Sequence, residues 1–143
     1  MKWQQYLLGF AEHAALKSKD STQVGAALVG PCNEVLLTGF NGPPIGVTES
    51  EWRRERPQKY RYVSHAEQNL VAFAARHGIK TDGCSVYVTH PCCSACTKTL
   101  IQAGVKSVFI GSGMLNPSGG WEENVAASRE MFAEAGVKVV NLG

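Results

Sequence analysis

No stretch of this chain is apolar for long enough to span a bilayer, because its hydrophobic runs are short and broken by charges even though 44% of its 143 residues are apolar. The N-terminal Met1-Lys2-Trp3-Gln4 lacks the basic head and apolar stretch of a signal peptide, so the expected compartment is the cytoplasm. Charge of one sign is equally scarce. A formal net charge of +2 argues against extended nucleic acid as a partner, since phosphate-backbone affinity needs many clustered Lys and Arg side chains. There is no internal repeat and no low-complexity run. The cysteines do not form a disulfide framework either: Cys32, Cys84, Cys92, Cys93 and Cys96 are odd in number, and three of the five fall close together. That distribution suits metal binding in a reducing compartment.

What is present reads as one domain over residues 1–143, a length at which a single core buries about two-thirds of the unfolded surface. Trp3, Leu7, Phe10, Ala11 and Ala14 recur at helical spacing and predict an amphipathic helix ending near Ser18. Val24 to Val29 and Val35 to Phe40 are short apolar runs separated by Gly30-Pro31-Cys32-Asn33, and they read as a hairpin. Residues 41–63 carry Gly42-Pro43-Pro44 and Gly46 without a sustained period, so they read as a long functional loop. Further helices are expected over His65 to His77, Cys93 to Ala103 and Trp121 to Ala135, each closed by a glycine. Strands are expected at Val86 to Thr89, Val108 to Ile110 and Val137 to Val140. Alternating helix and strand implies an α/β sandwich.

Two of the expected helices open on chemistry-bearing residues. His65 and Glu67 begin one, and Cys93-Ser94-Ala95-Cys96 begins the next. A catalytic zinc keeps three protein ligands and leaves one position for water, a count that His65, Cys93 and Cys96 fill. Helix N-termini favour thiolate over thiol, which suits cysteine ligands there. Glu67, two residues from the histidine, is then placed as a non-ligating proton carrier. Ser64-His65-Ala66-Glu67 also satisfies a capping box, in which Glu67 merely bonds the Ser64 amide. A lone C-x-x-C also serves redox or structural-zinc roles, the latter needing a fourth ligand from Cys84, His90 or Cys92.

The H-x-E and C-x-x-C pair resembles the signature of zinc nucleobase deaminases, and the chain as a whole resembles the cytidine and deoxycytidylate deaminase family. Also similar are Ser18-Lys19-Asp20, Gln23-Val24-Gly25-Ala26, Thr38-Gly39-Phe40-Asn41-Gly42-Pro43 and Leu100-Ile101-Gln102-Ala103-Gly104. The resemblance implies a three-layer α/β/α sandwich with a five-stranded mixed sheet. It implies hydrolytic deamination of dCMP, or of a 5-substituted dCMP, to dUMP and ammonia. It also implies homo-oligomers, often hexamers, with dCTP and dTTP as effectors.

From similarity, Asn41 contacts the sugar, and Thr89, His90 and Ala66 line the pocket. Two departures stand out. Cys92 occupies the position where the family usually has proline, Pro91 lying one residue earlier. The loop 112–116 lacks an aromatic residue found nearby in many relatives. The loop 41–63 offers Arg53, Arg54, Arg56 and Arg61 to read a 5′-phosphate, since guanidinium binds phosphate through paired hydrogen bonds. The competing readings are a tRNA adenosine deaminase, which needs a more extended basic surface, and a non-catalytic zinc domain.

Overall fold

The two early apolar runs do form a hairpin. In the computed structural model, which describes residues 1–115 and 120–143, β1 (Gly25–Val29) pairs antiparallel with β2 (Val35–Phe40). Asn33 in the connecting turn takes φ 63°, a left-handed conformation that asparagine tolerates better than most side chains. β1 is also antiparallel to β3 (Ser85–Val88), while β3, β4 (Ser107–Ile110) and β5 (Lys138–Asn141) run parallel. The order is β2-β1-β3-β4-β5, a mixed five-stranded sheet.

Successive strand residues face opposite sides of a sheet, and β1 is buried on both. Ala27 and Val29 join Tyr87 and Phe109 beneath Leu7 and Ala11 of α1 (Trp3–Ala15). Ala26 and Leu28 face the other way, toward Ala66 and Leu70 of α4 (Ala66–His77), Leu100 of α5 (Ser94–Gln102) and Phe132 of α6 (Trp121–Glu134). The layers are therefore helix, sheet and helices, as the resemblance implies. No helix among the described residues is long and apolar enough to cross a membrane.

Most elements begin and end within a residue or two of their expected places, and the differences have local causes. α1 stops at Ala15 because Leu16, Lys17 and Ser18 turn their N–H groups to His13, Ala14 and Ala15, each three residues back, tightening the end into a turn. Ser18 then reaches sideways to donate its hydroxyl to the Asn41 carbonyl at 2.8 Å. The segment 41–63 is less irregular than its composition suggests. Its base is closed by a bridge in which Gly42 and Ser64 exchange both backbone hydrogen bonds. Within it lie two short helices, α2 (Glu51–Arg54), capped by Ser50, and α3 (Lys59–Tyr62). Asn116, the last residue of the loop 112–116, lies outside the described residues.

Gly25 fixes how closely α1 approaches the sheet. A Cβ there would come within 1.9 Å of the Ala11 carbonyl oxygen and 2.6 Å of the Ala15 nitrogen, both backbone atoms. Gly9, on the same helix, has nothing within 4 Å of its would-be Cβ. Gly25→Ala is therefore expected to destabilise the fold by roughly 1–3 kcal/mol through overpacking. Gly9→Ala should instead gain about 0.5–1 kcal/mol by removing a flexible residue from a helix interior. Opposite shifts in the urea midpoint would check the pair.

Candidate active site

The parallel crossovers and the antiparallel hairpin meet at one end of the sheet, where β3 finishes, β1 starts and β2 gives way to Asn41. Clefts at the carboxyl ends of parallel strands are where α/β sheets bind ligands. Thr89 knits this end together: its N–H donates to the Gly25 carbonyl at 3.0 Å, and its hydroxyl oxygen accepts from the Gly25 N–H at 3.1 Å.

Two helices begin here. His65 is the N-cap residue of α4 and Cys93 that of α5, with Cys96 in the first turn of α5. His65 Nδ1 lies 3.3 Å from both Cys93 Sγ and Cys96 Sγ, and the three donor atoms all fall within 4.8 Å of one another. Ligands at Zn–S of about 2.3 Å and Zn–N of about 2.0 Å in a tetrahedral shell stand roughly 3.5 Å apart. The trio fits that shell.

Electrostatics favour a cation between them. The Cys93 thiol is lowered to about 4, first by the hydrogen bond from Cys96 and then by His65 and the Cys96 amide. The Cys93 sulfur accepts that amide's N–H at 3.4 Å. The same hydrogen bond pushes the Cys96 thiol up, and burial adds to it. His65 is raised by its hydrogen bond to Cys93. One thiolate is easy to form here, and the second waits for a positive charge.

Glu67 is 3% exposed, and burial raises its carboxyl above the ordinary range. The capping duty that competes for it is done by another residue. The helix starts one residue later than the Ser-x-x-Glu pattern suggests, and Gln68 Oε1 accepts from the His65 N–H at 3.1 Å. Glu67 therefore projects into the pocket wall instead. Cys92 is almost wholly buried, stands outside the donor trio, and turns its thiol to Glu67; burial raises it well above the usual thiol range.

A pocket opens beside this cluster, with His65, Glu67 and Cys93 in its wall. Of the residues expected to read substrate, it takes in Asn41, Ala66, His90 and Arg56. Asn41 is tied down, its Oδ1 accepting from the Val24 N–H and its Nδ2 donating to the Thr22 carbonyl, both at 2.9 Å.

Thr89 does not line the pocket. Its hydroxyl sits 2.7 Å from His90 Nδ1, a contact that helps orient the imidazole. Burial lowers His90, which favours the uncharged ring. Arg53, Arg54 and Arg61 are likewise absent from the wall. Arg53 is spent on folding the loop: it donates to the Thr48 carbonyl and lies 4.4 Å over the Tyr62 ring.

Sequence reasoning missed several neighbours. Lys59 and Asp20 line the pocket as an ion pair, and Trp121 supplies it with an aromatic wall. Asn124 of α6 accepts the Ser94 N–H at 2.6 Å, bracing the start of α5. Lys59 lies among the arginines of the loop 41–63 and Asp20 in Ser18-Lys19-Asp20, but nothing in the spacing ties residue 20 to residue 59.

The likeness to known proteins follows the same lines. A sequence profile described as the cytidine and deoxycytidylate deaminase zinc-binding region matches residues 1–112. The deoxycytidylate deaminase of Mus musculus is 38% identical over 144 residues, covering 96% of this chain and 78% of that protein. An uncharacterized deaminase of Aliivibrio fischeri is 38% identical over 139 residues, with 96% and 92% covered. The crystal structure of dCMP deaminase from cyanophage S-TIM5 in complex with dCMP and dUMP has a TM-score of 0.78 at 27% identity, with 99% of each chain covered.

The geometry separates three adjacent sulfurs into two roles. Cys93→Ala and Cys96→Ala are expected to lose zinc and thermal stability together, while Cys92→Ala retains about one zinc per chain. Elemental analysis of the purified variants checks this, and zinc loss in Cys92→Ala with retention in Cys93→Ala would reverse the assignment.

Proposed function

The chain belongs to the cytidine and deoxycytidylate deaminase family, and we propose that it converts dCMP and water to dUMP and ammonia at the pocket formed by His65, Cys93, Cys96 and Glu67. The observation that carries the reading is the buried carboxylate of Glu67 beside a three-donor metal trio, relieved of capping by Gln68. Zinc, when bound by His65, Cys93 and Cys96, supplies Lewis-acid activation of a water for attack on C4 of the cytosine ring.

The protein's own residues do the rest. Glu67 takes one proton from the attacking water and passes it to ring N3, then takes the second from the hydroxyl now on C4 and delivers it to the 4-amino group, which leaves as ammonia. Burial that raises its carboxyl makes it a stronger base toward the attacking water and lets it hold the proton between transfers. His90, its Nδ1 engaged by Thr89, lines the pocket, and Trp121 and Tyr60 offer aromatic surface to the nucleotide. Asn41, pinned at both ends of its amide, holds one fixed N–H for the sugar side.

For the 5′-phosphate, the pocket favours Arg56 over the other three arginines. Arg56 Nε donates to the Tyr60 hydroxyl at 2.9 Å, which orients the guanidinium fork. The reading extends to a single deaminase domain over residues 1–143 working in the cytoplasm as a homo-oligomer. The exposed edge-to-face pair Trp3 and Tyr6 on α1, backed by the half-buried Phe10, supports self-association. A hexameric state and dCTP or dTTP control rest on the family resemblance.

Ammonia release from dCMP tests the reading, with CMP, deoxycytidine, 5-substituted dCMP and adenosine alongside. Glu67→Gln is expected to keep its zinc and lose at least about a hundredfold in kcat; near-normal turnover by the zinc-replete variant would remove the carboxylate from the chemistry. Arg56→Ala should lose about tenfold or more in kcat/KM for dCMP, the loss expected for a charge-assisted phosphate contact. Deoxycytidine turnover should scarcely change. Arg53→Ala, whose guanidinium is occupied within the loop, should leave the preference for dCMP intact.

A further inference from the structure

One residue that lines the pocket, Asp20, keeps a buried polar atom without a partner among the described residues. Asp20 is 7% exposed, and its two carboxylate oxygens are treated very differently. Oδ1 accepts from Lys59 Nζ at 2.9 Å and from the Thr22 N–H at 2.9 Å. Oδ2 is buried and takes no hydrogen bond from any described residue. A buried carboxylate oxygen without a donor is costly, and a ligand donor is one of the partners that can complete such a group.

The carboxylate is also held rigidly. The Asp20 N–H donates to Ser18 Oγ, whose hydroxyl donates to the Asn41 carbonyl, and Asn41 Nδ2 donates to the Thr22 carbonyl. These bonds lock the segment after α1 to the segment after β2. Lys59, with a side chain 12% exposed, fixes the carboxylate from the loop side and offsets its charge.

An acceptor of this kind needs a donor from the ligand. On the reading that the substrate is dCMP, the choice is narrow: the phosphate is an acceptor, and the base's amino group sits at the metal end. The remaining donor is the sugar 3′-hydroxyl. We infer that Asp20 Oδ2 accepts a hydrogen bond from the 3′-hydroxyl of the bound nucleotide, with Lys59 as its positioning residue. Asp20 is then a specificity determinant that requires an intact 3′-hydroxyl.

The test compares zinc-replete wild type on dCMP, on 2′,3′-dideoxycytidine 5′-monophosphate and on deoxycytidine. Wild type is expected to favour dCMP over the dideoxy nucleotide by about tenfold to a hundredfold in kcat/KM, the range for a hydrogen bond to a charged group. Asp20→Asn should bring the two nucleotides within about threefold of each other, mainly by losing dCMP turnover. A merely structural role would lower both alike and leave the ratio standing, which would overturn the proposal. The wild-type ratio decides even if Asp20→Asn folds poorly. Equal turnover of dCMP and its dideoxy analogue, with dCMP still preferred to deoxycytidine, would sink the 3′-hydroxyl contact and spare the substrate reading. No turnover of any cytosine nucleotide would sink both.

Discussion

Two thiols buried side by side do not both ionise unless a cation sits between them. Cys93 and Cys96 are in that position, each within 3.3 Å of the same imidazole nitrogen. The first proton leaves easily, since Cys93 falls to about 4 while Cys96 rises. Metal binding resolves the frustration by stabilising the second thiolate, which couples occupancy of the site to stability of the fold. Two helix N-termini aimed at one point contribute their positive ends to the same balance.

The surrounding structure serves to bring those N-termini together. β3 leads directly into the turn carrying Cys93, and its end is tied to β1 through Thr89 and Gly25. The bare Cα of Gly25 lets α1 close over this junction, where any side chain would meet backbone. α6 braces α5 through Asn124 and through the buried pair Thr97 and Ser128. On the opposite wall, Ser18, Asp20, Thr22 and Asn41 form a continuous hydrogen-bonded clamp. Catalytic geometry of this kind depends on second contacts that fix each reacting group.

The metal trio and Glu67 were legible in the sequence because their spacing is local: two short motifs, each at a helix start. Helices and strands were legible for the same reason, with glycines marking the ends. Contacts that cross the chain were not. The Asp20–Lys59 pair spans 39 residues, and Trp121 reaches the pocket from the start of the last helix. Arginines 53, 54, 56 and 61 look equivalent in a run of charge, yet loop folding spends Arg53 on Tyr62 and leaves Arg56 at the wall. Thr89 and His90 are neighbours with different jobs, because alternate residues leaving a strand face opposite ways.

Cys92 shows how narrow the margin is. It adjoins a ligand in sequence, carries the same sulfur, and still belongs to the carboxylate side of the site, where burial keeps it a thiol. The central claim is therefore an open coordination shell of one nitrogen and two sulfurs. X-ray absorption at the zinc edge of the metal-replete protein tests it directly. The account predicts about two sulfur scatterers near 2.3 Å with the remaining shell filled by nitrogen and oxygen at about 2.0 Å. Three or four sulfur scatterers would contradict it, because they would close the shell with Cys92 or another thiol and leave no place for water.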